Sequence, residues 1–156
     1  MIIAFSLCML VQQFALAQDN KNTGNYIPAD FVQQYYNAYS GVPKAERLAP
    51  FYADSVIIDD PTYDWLGKSK NEIFKNFDAN NINNDYTWRI NQQIIQDNKL
   101  VTEGLLTAKY GGSPYEMRFV NIFHFEQGKI VKQYDYYDNK AWYEVVEEWK
   151  KKQQKN

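Results

Sequence analysis

Four long strand-like runs close the chain, and the turns between them narrow its possible folds more than any other feature. Residues 86–97, 100–110, 115–126 and 130–137 are separated by Asp97-Asn98-Lys99, Gly111-Gly112-Ser113-Pro114 and Gln127-Gly128. Tight connections of this kind join antiparallel neighbours, so the four runs predict a meander. The third run alternates strictly. Tyr115, Met117, Phe119, Asn121, Phe123 and Phe125 share one face, and Glu116, Arg118, His124 and Glu126 the other. That is the period of a strand with one buried side.

Upstream of residue 86 the pattern is mostly helical. Phe31, Val32, Tyr35, Tyr36 and Tyr39 recur at helical spacing behind Asp30, a good N-cap, and Gly41-Val42-Pro43 ends that helix. A second short helix from Lys44 turns Ala45, Leu48, Ala49 and Phe51 inward. A short strand over 56–60 runs into Pro61. A loop with Tyr63, Trp65 and Gly67 follows, and then a third helix opened by Ser69 with Glu72 three residues on. A last helix is expected from about Lys140 to Lys152. Helices followed by a twisted antiparallel sheet imply an α+β fold with the helices on one face.

At 156 residues the chain has room for one core and not two. Residues 1–17 read as a signal peptide, because 2–11 form a short apolar run and Ala15-Leu16-Ala17 resembles a signal-peptidase site. The run is too short for stable membrane insertion, which needs about 20 apolar residues. A secreted or periplasmic location is therefore expected, with a flexible lead-in over 18–29 and a single domain over 30–156. The one cysteine, Cys8, falls in the leader, which leaves the rest of the chain without disulfide or thiolate chemistry. A net charge of −2 gives no reason to expect nucleic acid. One histidine and scattered carboxylates supply no metal-ligand cluster.

Taken in order, Phe51-Tyr52-Ala53-Asp54, Asp60-Pro61, Gly67, Phe123-x-Phe125-x-x-Gly128-Lys129-Ile130 and Asp135-Tyr136-Tyr137-Asp138 resemble the SnoaL-like and ketosteroid-isomerase-like groups of the nuclear transport factor 2-like superfamily. The resemblance covers about 30–143. It implies a cone-like α+β barrel, with N-terminal helices packed on a strongly curved, mostly antiparallel sheet. It also implies a ligand pocket, no cofactor, and a homodimer formed through the sheet.

The resemblance makes Asp60 the general base. The oxyanion-binding tyrosine of helix 1 falls on Tyr35, or on Tyr36 if no gap is allowed. Where relatives carry a protonated aspartate this chain has Asn121, whose amide can still donate to a carbonyl oxygen. Asp135 would face Asp60 and Asn121 across the cone, and two close carboxylates push one pKa upward. Tyr63, Trp65, Phe119, Phe123 and Tyr137 are the expected pocket walls. On the last strand Val131, Gln133, Asp135 and Tyr137 share one face, and the resemblance implies that this face is the inward one. His124 shares its strand face with charged residues and is expected at the surface.

Relatives resembling limonene-epoxide hydrolase need an Arg-x-Asp that Thr102-Glu103-Gly104-Leu105-Leu106 lacks. The expected ligand is a small apolar or carbonyl-containing molecule, with acid–base isomerisation, cyclisation or dehydration as the reaction. The alternatives are a non-enzymatic module of the same fold that binds a small ligand or docks a partner protein, and a structural dimer whose cone is filled by its own aromatic side chains.

Overall fold

The computed structural model describes residues 24–154. The expected leader, with Cys8, lies outside the described residues, as does the first part of the lead-in. From Gly24 onward the chain is tied to the turn at Gln127-Gly128. The Gln127 N–H donates to Gly24 O at 2.8 Å, and the Tyr26 ring lies against Gly128.

Helix α1 (Phe31–Tyr39) buries Phe31, Tyr35 and Tyr36. Asp30 precedes it, but its side chain makes no cap hydrogen bond and engages Gln34 instead. Helix α2 (Ala45–Leu48) and a 3-10 turn (Ala49–Phe51) lead into β1 (Tyr52–Asp60), which starts four residues before the expected strand. Residues 65–67, expected in a loop, form a short strand β2 (Trp65–Gly67) paired with the end of β1. Ser69 caps helix α3 (Lys70–Phe74), its hydroxyl accepting from Glu72 N at 3.2 Å. The helix then breaks, and Phe77–Asn80 forms a separate turn of helix, α4.

Strands β3 (Asn84–Gln96), β4 (Lys99–Tyr110), β5 (Ser113–Glu126) and β6 (Lys129–Tyr137) form the expected meander, and helix α5 (Lys140–Gln153) packs over β5 and β4. The six strands make one curved, open sheet in the order β2-β1-β6-β5-β4-β3, in which only β1 and β6 run parallel. Gly104 is required in β4. A Cβ there would lie 2.2 Å from Arg89 O and 2.8 Å from the Phe119 ring. At Gly111, where φ is +55°, the Trp149 indole of α5 takes the space a side chain would fill.

One expectation about facing fails. The inward residue near the start of β6 is Ile130, fully buried, and not Val131. A bulge lets Phe125 pair with Ile130 while His124 pairs with Lys132, so Val131 is the extra residue and the alternation shifts by one. From Gln133 onward the expected phase holds, with Gln133 and Asp135 buried.

The core fills the narrow end of the cone. Phe31 meets Phe123 and Phe125 edge-on, with centroids 5.4 and 4.8 Å apart, and stacks on Tyr35 at 5.2 Å. These rings bury large apolar areas, each contributing on the order of 2–3 kcal/mol.

Candidate functional site

At the wide end, the C-terminal ends of β1, β4 and β6 and the N-terminal ends of β3 and β5 surround an open cleft roofed by α3, α4 and α5. It has two lobes. One, of about 430 Å³, lies against α3 and α4 and reaches Tyr52, Gln133 and Asp135. The other, of about 380 Å³, lies under Trp142 of α5 and reaches Asn84, Tyr86, Tyr115 and Met117. Tyr39, Asp60, Tyr63, Asn80, Asn81 and Tyr137 line both, so Asp60 stands where the lobes meet.

Asp60 ends β1, and the turn made by Pro61 holds it in place. The N–H groups of Thr62 and Tyr63 donate to its Oδ1 at 3.1 and 3.3 Å. Burial raises its pKa to about 6, and the neighbouring Asp59 adds to the rise against those two hydrogen bonds. Asp135 is more deeply placed, with 8 % of its surface exposed. Burial pushes it up to about 7, with the charge of Asp60 adding, while hydrogen bonds from Gln133 and Asn121 pull the other way.

Behind Asp135 runs a continuous buried network. Thr102, Asn121 and Asp135 lie directly opposite one another on β4, β5 and β6, so their side chains form one row. Asn121 Nδ2 donates to Asp135 Oδ1 at 2.5 Å, and Tyr36 Oη donates to Asn121 Oδ1 at 2.8 Å. The Tyr36 hydroxyl also meets Thr102 Oγ1 at 2.5 Å. On the other flank Gln133 Nε2 donates to both oxygens of Asp135 at 2.8 Å. The oxygen of Gln133 accepts from Tyr52 at 2.9 Å and from Tyr35 at 3.4 Å. The tyrosines fix which way both amides point, and both therefore aim N–H groups at the carboxylate. Burial holds the hydroxyls of Tyr35, Tyr36 and Tyr52 well above the ordinary tyrosine value, so all three are neutral donors.

The structure thus divides the residues singled out in the sequence. Asp60, Asp135, Tyr63, Trp65 and Tyr137 line the cleft. Tyr35 and Asn121 stand behind its wall, with Tyr35 bonded to Tyr52 and Gln133 and Asn121 spent on Asp135 and Tyr36. Phe123 is fully buried in the core, and Phe119 packs against Trp88 with centroids 4.9 Å apart. The helix α1 tyrosine that reaches the cleft is Tyr39, one turn beyond Tyr35 on the same side. Helical spacing from Tyr35 was the available signal. Gln133, Tyr52 and Thr102 carried no distinctive signal, although strand alternation turned Gln133 inward.

Beyond its tyrosines the cleft is less apolar than the sequence suggests, because Asn80, Asn81, Glu72 and Lys75 join its α3 side. His124 lies on the outer sheet face beside Tyr134, its pKa lowered by partial burial and by Lys99 and Lys132. Among the described residues no three His, Cys, Asp or Glu side chains are grouped to hold a metal ion, and no helix is long and apolar enough to cross a membrane.

The helices and the curved sheet form an α+β cone around a cleft that carries two carboxylates. The chain belongs to the SnoaL-like domain family, whose model matches residues 32–133. Among solved structures it is similar to a hypothetical protein of ketosteroid isomerase-like fold from Catenulispora acidiphila, in complex with trimethylamine. That similarity has 13 % identity and a TM-score of 0.64, over 74 % of this chain and 90 % of the other. A candidate SnoaL-like polyketide cyclase from Shewanella denitrificans is 13 % identical with a TM-score of 0.65, over 76 % and 96 %. An LEH-like epoxide hydrolase from M. tuberculosis is 12 % identical with a TM-score of 0.61, over 74 % and 86 %. At these identities the likeness establishes the fold. No curated protein matches the chain.

Proposed function

We propose that the cleft binds a small carbonyl-containing organic molecule and moves a proton on it without a cofactor, with Asp60 as general base and Asp135 as its acid partner. The observation that carries this reading is that both carboxylates line one lobe while burial brings their pKa values to about 6 and about 7. A base poised near the working pH is ionised and still strong enough to accept a proton, and its partner can return one. Tyr39 and Tyr137 line the same space and are the available hydroxyl donors for the oxygen of an enolate. Isomerisation needs only these proton transfers; aldol-type cyclisation adds a C–C bond from the enolate carbon to a second carbonyl, whose oxygen takes the proton, and dehydration adds cleavage of a C–O bond, the protonated hydroxyl leaving as water. The trimethylamine complex of the Catenulispora protein supports small-molecule binding by this fold.

The test is deuterium incorporation next to the carbonyl of small cyclic ketones and enones in heavy water. The wild type should accelerate exchange, and Asp60→Asn should lose roughly 10²–10⁴-fold of that acceleration while remaining folded. Unchanged exchange in the variant would remove Asp60 from the mechanism. The second reading, a binder without turnover, draws on Tyr35 and Asn121 being fully engaged behind the wall. It expects saturable ligand binding with no exchange in either protein.

Export, read from the leader pattern, and pairing of two copies through the outer sheet face belong to the same proposal. That face carries half-buried Val101, Leu105, Val120, Ile122 and Tyr134 beside a groove of about 630 Å³. Sedimentation of the chain from Gln18 should give twice the monomer mass, and a monomer at micromolar concentration would exclude the pairing.

A further inference from the structure

The α5 lobe is rich in acceptors and poor in positive charge. Seven of its thirteen lining residues are aromatic, and none is Lys, Arg or His. Tyr63 meets Trp142 edge-on at 5.1 Å and Tyr137 at 6.1 Å on one side, and Tyr39 and Tyr86 meet at 5.9 Å on the other. Asp60 lines the same lobe, and its two backbone donors both go to Oδ1, leaving Oδ2 without a hydrogen-bond partner among the described residues.

A second acceptor is also unspent. Asn81 Nδ2 donates to Phe77 O at 2.9 Å, which makes Asn81 Oδ1 an acceptor for Asn84 Nδ2 at 3.0 Å. That chain fixes the Asn84 amide, and its Oδ1 is left buried with no partner. An orphan of this kind costs about 1–3 kcal/mol unless something donates to it.

An anionic group would meet Asp60 with no cation to offset it, and a plain hydrocarbon would strip water from a carboxylate and return nothing. A positive group gains from both the carboxylate and the negative faces of the rings. We infer that the α5 lobe receives an alkylammonium group, seated among Tyr39, Tyr63, Tyr86 and Trp142 with its charge beside Asp60. The proposal rests on the cleft being a ligand site, and it narrows the ligand to one with a positively charged nitrogen at the end that enters this lobe. A cation there also keeps Asp60 ionised, the state a base requires. The neighbouring lobe differs, because Lys75 stands on its wall and Asp135 lies within it.

Choline and its neutral carbon isostere 3,3-dimethylbutan-1-ol separate charge from shape. Each is titrated into the full chain at constant ionic strength, following the methyl resonance of Met117, which lines the lobe. Choline should shift that resonance saturably with at least about ten-fold tighter binding than the isostere. Asp60→Asn should reduce the preference to within about three-fold, and Tyr63→Leu should weaken choline while leaving the isostere nearly unchanged. Equal affinity for the two probes, or binding of the isostere alone, overturns the ammonium assignment while the cleft stands as a ligand site. If neither probe moves Met117 the assignment also fails, and if the cyclic ketones leave it unmoved as well, the cleft reading falls with it.

Discussion

The two halves of the cone use the same side chains to opposite ends. Behind Asp135, three tyrosines, a threonine and two amides are joined so that each amide has both ends engaged. In front of it, Tyr39, Tyr63 and Tyr137 share a cleft with Asp60, Asn80 and Asn81, and the strongest partner of the Tyr63 hydroxyl is the Met117 sulfur at 3.8 Å. Saturated polar groups specify a rigid wall, whereas unsaturated ones facing a cavity are free for a ligand. Residue type alone does not separate the two, and partner count does.

Substitutions at the mouth and behind the wall should therefore act on different properties. The largest effect belongs to the mouth, where Asp60→Asn should remove about 10²–10⁴-fold of ketone exchange with little change in melting temperature. If the cleft is idle, the variant will match the wild type. Behind the wall the largest effect should be on stability. Asn121→Leu removes the amide acceptor of the Tyr36 hydroxyl, leaving it Thr102 alone, and takes one donor from a buried carboxylate, and should cost about 2–4 kcal/mol in urea unfolding. A loss below about 1 kcal/mol would show that the network is not a structural unit.

A third prediction concerns pH. Asp135 binds its proton more tightly in the folded chain than in the unfolded one, where the carboxylate titrates near 4. The unfolded state then carries fewer protons between about pH 4 and pH 7, so stability falls as pH rises through that window and levels off above it. A shift to about 7 corresponds to a change on the order of 4 kcal/mol. Asp60 contributes in the same direction and less, because it is more exposed. In Asp135→Asn the slope between pH 4.5 and 7.5 should be less than half that of the wild type. The smallest effect is expected for Tyr39→Phe, which should leave stability within about 0.5 kcal/mol and slow exchange by about ten-fold.

The fold was largely legible because its signals are local. Hairpin turns and strand alternation placed β3 to β6, and Ser69 with Glu72 placed α3. The start of β6 was misread because nothing in Lys129-Ile130-Val131-Lys132 distinguishes a bulge from regular alternation, and the choice is made by pairing with both β5 and β1. Strand β2 was hidden for a similar reason, since three residues owe their strand geometry to β1 alone.

The site was half legible. Asp60 follows from strand phase, and Asp135 from strand phase together with the resemblance, which says which face of the last strand is inward. Whether a helix α1 tyrosine points at a ligand depends on what meets its hydroxyl across the core. Tyr35 and Tyr36 both turn inward, one toward Gln133 and the other toward Asn121. Those partners lie 98 and 85 residues away in sequence, beyond the reach of any local pattern.

Carboxyl carbon NMR of Asp60 and Asp135, followed from pH 3 to 9, tests most directly whether the mouth is a poised acid–base site. A poised site titrates near 6 at Asp60 and near 7 at Asp135, with the Asp60 midpoint falling when choline is added. Both groups titrating near 4, as free carboxylates do, would contradict it and leave the cone as a structural scaffold.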